Sequence, residues 1–285
     1  LARLGLQGSS GFDPGRFHAA VLMARPHSII LLPQMLAAWT AWLERADTRA
    51  PDDLVFVAVG GAAVGERLVR AARARGIPAY EGYGLSEGAS VQTLNLPGAD
   101  LPGSAGRALP HARLRLAADG EIEVAGSLFA GYLGSDTAPS DWWPTGDLGH
   151  IDAQGFLQVA GRKKNVLVTG YGRNVSPEWV EAALCEERAI AMATVFGDGQ
   201  PQLEAVLWPA APGTTHHQLQ HAVEQANSRL PDYARIARWV PAQAAFSADA
   251  GTATPNGRPQ RAAILRLHAA ALRDAPTHLS TMECP

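Results

Sequence analysis

"LVFVAVGGAAVGERLVRAARARG", Leu54 to Gly76, is an apolar run that stops at a glycine pair and continues as a segment with apolar residues three and four apart. The first part predicts a buried strand ending at Gly60 and Gly61. The second predicts a helix that stops at Gly76 and Pro78. Upstream the pattern is the same: "HSIILLP" (27–33) is a short apolar run closed by Pro33, and "QMLAAWTAWLERA" (34–46) carries helical spacing. Strand, helix, strand, helix predicts an α/β fold whose parallel sheet is connected by crossover helices. Ligand sites in such sheets lie beyond the carboxyl ends of the strands, so the loops beginning at Gly60 and Tyr80 are where a site is expected.

From about Gly103 the texture becomes a small β-rich unit. "ARLRLAADGEIEVAG" (112–126) is two alternating runs around Asp119-Gly120, a hairpin signal, and "GHIDAQGFLQVAG" (149–161) repeats it around Gln154-Gly155. After Gly161 the pattern changes to an α+β texture: a helix opened by Pro177, strands "AIAMATVFG" and "LEAVLWP", and a helix from about His216 to Leu230. Two domains are therefore expected, 1–161 and 162–285. No internal repeat or low-complexity tract is visible.

The 285 residues are 47% hydrophobic, enough for more than one core. A formal net charge of -3 and a pI near 6.3 provide no basic field for nucleic acid or anionic lipid. Nucleic acid is not an expected partner. Cys185 and Cys284 form no disulfide framework and read as structural or incidental, consistent with a reducing, cytoplasmic compartment. Leu1 to Gln7 lacks the features of a signal peptide, and without an initiator methionine the chain reads as an excised piece. Ser28 to Leu43, interrupted by Pro33 and Gln34, reads as core strand plus helix, so no integral membrane segment is expected. The only lysines are Lys163 and Lys164.

Three stretches carry candidate chemistry. In "EGYGLSEG" (81–88), glycines around Tyr83 would let a flat ligand approach the backbone, Tyr83 could stack on it, and Ser86 with Glu87 could bind an oxyanion and its metal. A turn bearing an aromatic core residue accounts for the same letters. In "PTGDLG" (144–149), Asp147 is expected in a tight turn between glycines, where it could accept hydrogen bonds from a ribose diol or close an Asx-turn. "GRKKNVLVTGYGRNVSPEWVEAAL" (161–184) bridges two apolar strands with a polar run and then opens a helix with Pro177 and Glu178; a solvated hairpin is the alternative. His217 and His221, four apart on a predicted helix, have no third ligand and read as an exposed helix face. A dinucleotide oxidoreductase is disfavoured, since no GxGxxG opens a helix after a strand with an acid about 20 residues on.

Taken together and in order, "VGGAAV" (59–64), "GYGLSE" (82–87), "TGDLG" (145–149), "GRKKNVLV" through "PEWVE" (161–181) and "NGRPQR" (256–261) resemble the adenylate-forming superfamily of acyl-CoA synthetases, luciferases and peptide-synthetase adenylation domains. The texture is most similar to bacterial fatty acyl or aryl acyl-CoA synthetases. The resemblance implies the carboxy-terminal part of a large AMP-binding domain followed by a small mobile domain. It also implies a parent reaction in which ATP, Mg²⁺ and a carboxylic acid form an acyl-adenylate, which coenzyme A or a carrier-protein phosphopantetheine then intercepts. By the same resemblance Gly60, Gly61 and Ala62 wall the acyl and adenine site, Tyr83 stacks on adenine between Gly82 and Gly84, and Ser86 meets the α-phosphate. Glu87 holds Mg²⁺, Asp147 and Arg162 grip the ribose, and Lys164 is the hinge.

Arg258, in "TPNGRPQR" (254–261), occupies the place of the family's catalytic lysine. A cation is needed there because carboxylate attack on the α-phosphate brings anions together. Arginine keeps the charge but not the compact, rotatable donor. The residues Pro255, Asn256 and Gly257 predict a turn beside it. The family's Ser/Thr/Gly-rich phosphate loop ending in lysine has no counterpart; "GSSG", Gly8 to Gly11, is the nearest stretch. The expectation is a chain that binds AMP but adenylates weakly or not at all, or a noncatalytic, degenerate AMP-binding-like interaction module.

Overall fold

A computed structural model describes residues 6–7, 11–134, 140–254 and 258–277. The expected turn at Pro255, Asn256 and Gly257, most of "GSSG" and Cys284 lie outside the described residues. The chain divides into two compact units, Leu1–Lys164 and Asn165–Pro285. The boundary falls three residues beyond the one read from texture, because Arg162 is still paired in a strand of the first unit.

The first unit opens with β1 (Leu6–Gln7) and β2 (Gly11–Phe12), then α1 (Pro14–Ala24), β3 (Ser28–Leu31), α2 (Pro33–Arg45), β4 (Phe56–Val59), α3 (Glu66–Ala74) and β5 (Ala79–Tyr83). β3, β4 and β5 pair in parallel, as the alternating pattern predicts. Pro33 sits at the start of α2, where its missing N–H costs nothing. Leu36, Trp39 and Leu43 of α2 and Val69 and Ala72 of α3 bury against Val57 and Val59 of β4, which fixes the helices on the sheet. Two short antiparallel strands, β6 (Thr93–Leu94) and β7 (Arg107–Ala108), extend the sheet beyond β5.

The β-rich part is a four-stranded antiparallel sheet of β8 (Ala112–Leu116), β9 (Glu121–Gly126), β10 (Trp143–Ile151) and β11 (Leu157–Arg162), in chain order. Both expected hairpins are present, with Gly120 and Gly155 at positive φ in their turns. Ile122, Val124 and Leu157 form its core, and Tyr83 and Leu85 pack against them. That packing brings the end of β5 to the face of this second sheet.

The second unit contains β12 (Leu167–Val168), β13 (Asn174–Val175), α4 (Pro177–Cys185), β14 (Ile190–Phe196), β15 (Leu203–Pro209), α5 (His216–Arg229), β16 (Ile236–Pro241) and α6 (Arg261–Asp274). β14 and β15 are antiparallel and β16 joins β15 in parallel. α4 and α5 bury Val180, Leu184, Leu219 and Val223 in one core, while α6 contributes Ile264 and Leu272 to another that includes Val206 and Val240. His217 and His221 are exposed on α5, as expected, and Cys185 is exposed at the end of α4. Among the described residues no helix is long and apolar enough to cross a membrane.

Candidate functional site

The carboxyl ends of β4 and β5 lie side by side, with Val59 in register with Glu81. The next residues, Gly60 and Gly82, therefore face each other. A Cβ on Gly60 would stand 2.9 Å from the Gly82 carbonyl oxygen, so glycine is required by the approach of the two strand ends. Gly61 and Ala62 follow in the exposed loop after β4, where the sequence placed a site.

β5 runs through Tyr83, three residues further than the sequence suggests, because Gly82 and Tyr83 pair with Leu94 and Thr93 of β6. Beyond it, Ser86, Glu87 and Gly88 form a single 3-10 turn. Ala89 and Ser90 then adopt φ of 58° and 83°, a region costly for residues with a Cβ. They turn the chain back so that the Ser90 carbonyl lies over Gly84, where an added Cβ would meet it at 1.6 Å.

Asp147 is not in a tight turn. It lies within β10, where the register with β9 shifts between Pro144 and Leu148. Thr145 Oγ1 donates to the Ile122 carbonyl at 2.7 Å and accepts from the Asp147 N–H at 3.1 Å, which fixes the irregularity. The Asp147 carboxylate has partners on other strands. It accepts from the Tyr83 hydroxyl at 2.7 Å and from Arg162 Nε at 2.8 Å, Arg162 being its register partner on β11. Asp147 is buried, and burial together with its charge pushes the Tyr83 phenol well above its usual range.

Glu87 is joined to the same sheet by a different route. Tyr132 donates its hydroxyl to Glu87 Oε1 at 2.7 Å, and the Phe129 N–H donates to the Glu87 carbonyl at 2.8 Å. Phe129, Tyr132 and Trp143 pack edge to face, with Phe129 centred 4.9 Å from each neighbour. Trp143 begins the strand that carries Asp147. Tyr83, Glu87, Asp147 and Arg162 are thus tied into one hydrogen-bonded and aromatic framework within the first unit. Thr145 and Tyr132 are the members that sequence reading missed. Tyr132 had only the small residues beside it in "FAGYLG" as a signal.

Lys163 Nζ meets Asp119 at 2.6 Å and Glu121 at 2.7 Å, which anchors the last turn of the first unit to the β8–β9 hairpin. These two carboxylates raise the Lys163 ammonium above its ordinary range, the bond to Asp119 contributing most. Lys164 is exposed and ends the unit. Arg258 belongs to the second unit and is exposed; its N–H donates to Thr254 Oγ1 at 3.1 Å and its carbonyl accepts from the Thr254 N–H at 2.8 Å.

A family model described as AMP-binding enzyme matches residues 2–133, and one described as AMP-binding enzyme C-terminal domain matches residues 164–277. A long-chain-fatty-acid–CoA ligase, FadD15, of Mycobacterium bovis is 40% identical over 158 residues, covering 52% of this chain and 26% of its own length. A 2-succinylbenzoate–CoA ligase of Bacillus cereus is 30% identical over 259 residues, covering 82% of this chain and 52% of the relative. The chain therefore spans about half or less of the curated relatives it matches. Among solved structures, an O-succinylbenzoate coenzyme A synthetase from Bacillus subtilis in complex with ATP and magnesium ion superposes with a TM-score of 0.67 at 25% identity. That match covers 81% of this chain and 50% of that one.

Proposed function

This chain belongs to the AMP-binding enzymes of the adenylate-forming superfamily, and on that premise we propose that it forms the AMP-contacting half of an AMP-forming acyl-CoA synthetase together with its carboxy-terminal lobe. In the parent reaction a carboxylate oxygen attacks the α-phosphorus of ATP. Pyrophosphate leaves, and a thiol of coenzyme A or carrier-bound phosphopantetheine then displaces AMP from the acyl-adenylate.

The observation that carries this reading is the buried Asp147 carboxylate, held by Tyr83 and Arg162 beside the ends of β4 and β5. A carboxylate fixed in that way is an oriented acceptor of the kind that the hydroxyls of a ribose require. The Tyr83 ring, between Gly82 and Gly84, offers a flat surface for a purine, and Gly60, Gly61 and Ala62 at the end of β4 form the neighbouring wall. Ser86 stands next to Glu87 for the α-phosphate. Among the described residues no cluster of three or more His, Cys, Asp or Glu could hold a metal alone. Glu87 as a single carboxylate suits Mg²⁺, which commonly takes one or two carboxylates and completes its shell with water and substrate phosphates. Bound there, the ion would offset phosphate charge. Arg258 supplies the cation of the adenylation step.

A second reading rests on Arg258 itself: arginine in place of lysine favours a degenerate module that keeps the nucleotide contacts and has lost turnover. Calorimetry with AMP and with a non-hydrolysable acyl-adenylate mimic, beside a pyrophosphate-exchange assay over a panel of acids, tests both. Heat with either ligand, abolished in Asp147→Ala, is expected, with little or no exchange by these 285 residues. Absence of heat with both ligands overturns the nucleotide reading, and brisk exchange overturns the expectation of weak turnover.

A further inference from the structure

Arg261 opens α6, a position where a cation opposes the helix dipole, and its Nε is buried without a hydrogen-bond partner among the described residues. Both features disfavour arginine there. What they coincide with is a set of contacts to α4: Arg261 Nη2 lies 2.8 and 2.7 Å from the two oxygens of Glu181 and 3.4 Å from Glu178 Oε1. The two carboxylates are themselves held. Glu181 Oε1 accepts from the Val195 N–H at 2.8 Å, and Glu178 accepts from Ser176 Oγ at 3.1 Å and from Asn165 Nδ2 at 2.5 Å. Asn165 is the residue immediately after Lys164.

Arg258 stands three residues before Arg261, on the return arm of a short ladder. Thr254 N–H donates to the Arg258 carbonyl, Ala253 bridges Pro259, and Gln260 N–H donates to the Thr252 carbonyl at 2.8 Å. The ladder rests on Ser247, whose carbonyl accepts from the N–H groups of Thr252 and Ala253, each at 3.0 Å. The root of the ladder, at Thr252 and Gln260, is thereby tied, through Arg261, to the first turns of α4 and to the side chain next to Lys164.

We propose that Arg261, clamped between Glu178 and Glu181, is the positioning residue that fixes the root of the Arg258 ladder. The same clamp makes Glu178 the common anchor of that root and of Asn165. This inference rests on the reading of Arg258 as the adenylation cation only for its functional meaning; the clamp itself is a property of the second unit.

Residue-resolved amide hydrogen exchange by NMR on the full 285-residue chain tests it. In Arg261→Gln, the amides of Thr254, Arg258 and Gln260 should exchange about tenfold faster, while Ala205 and Leu207 in the central strand β15 keep their rates within about twofold. Arg261→Lys, which keeps the charge without the planar fork, should give intermediate rates. If the Gln variant does not fold, Glu178→Gln leaves Glu181 to hold the helix and should accelerate the same three amides about threefold. Unchanged ladder rates overturn the proposal. So does a parallel acceleration of ladder and strand, because that is the signature of lost global stability. Failure of the functional reading is seen separately, as an Arg258→Ala variant whose affinity for the acyl-adenylate mimic equals that of the wild type.

Discussion

The Tyr83 hydroxyl donates to Asp147 Oδ2 at 2.7 Å, across the junction of the parallel sheet and the antiparallel one. With Arg162 on the other oxygen, the carboxylate is oriented before any ligand arrives. Preorganisation of that kind removes an ordering cost from binding. Tyr83→Phe keeps the ring and loses the tether, so AMP affinity should fall by about tenfold, the lower edge of the roughly 1.5–3 kcal/mol of one hydrogen bond to a charged group. Tyr83→Ala should lose more, since the flat surface goes as well. Calorimetric titration of both variants checks the order, and a Phe variant weaker than the Ala variant contradicts it.

Tyr132 predicts a cation effect. Its phenol holds Glu87 Oε1 at 2.7 Å, and the aromatic contacts to Phe129 and Trp143 hold the phenol. Tyr132→Phe should leave the ring packing in place and release the carboxylate rotamer. Binding of Mn²⁺ with ATP, followed by electron paramagnetic resonance, should weaken about threefold to tenfold in this variant, an effect of hydrogen-bond size. Glu87→Gln is expected to lose the nucleotide-dependent Mn²⁺ signal. Should Glu87→Gln retain it, Glu87 is not the ligand.

Glu81 predicts a pH dependence of stability. The side chain is 6% exposed, and its Oε2 accepts from the Gly103 N–H at 2.7 Å. Burial pushes its carboxyl up to about 7 against the pull of Gly103 and Arg73, with Glu66 and Asp100 reinforcing the rise. A group raised on folding binds more protons in the folded state, so its contribution is complete below the unfolded value near 4.5 and is lost as pH climbs through 7. Relative to Glu81→Gln, the wild type should lose stability on the order of 3 kcal/mol between pH 4.5 and 8. Urea unfolding of the two proteins across that range measures it. A difference that is flat with pH, or that grows in favour of the wild type, refutes the assignment.

The parallel strands, both hairpins and the paired helices of the second unit were legible because each depends on local periodicity and turn chemistry. Gly60 and Gly61 were legible as a strand end for the same reason. The chemistry around them was only partly so. Asp147 was read as a turn residue because "TGD" has turn letters; what places it in a strand is Thr145 reaching the Ile122 carbonyl, a pairing 23 residues apart that no local pattern records. Tyr132 and Glu87 are 45 residues apart, and Arg261 and Glu181 are 80 apart. Contacts of that range are set by how sheets and helices pack, so the sequence shows the residue types without showing who meets whom.

Lys163 predicts where the chain between the two units opens. Asp119 and Glu121 hold its ammonium on the first unit, and Asn165 is held by Glu178 on the second, which leaves Lys164 as the one residue between the two anchors. The pairs to Asp119 and Glu121 are exposed on the lysine side, so they contribute little to global stability and weaken with salt. Lys163→Gln should therefore shift the melting temperature by less than about 2 °C, as surface substitutions do. It should nevertheless free the segment that enters Lys164, so trypsin should cut after Lys164 several times faster than in the wild type. Raising salt should increase the wild-type rate and leave the variant's nearly unchanged, once each is corrected for the enzyme's own salt dependence on a peptide substrate. Equal cleavage in the two proteins at low salt would mean that Lys163 does not anchor the segment.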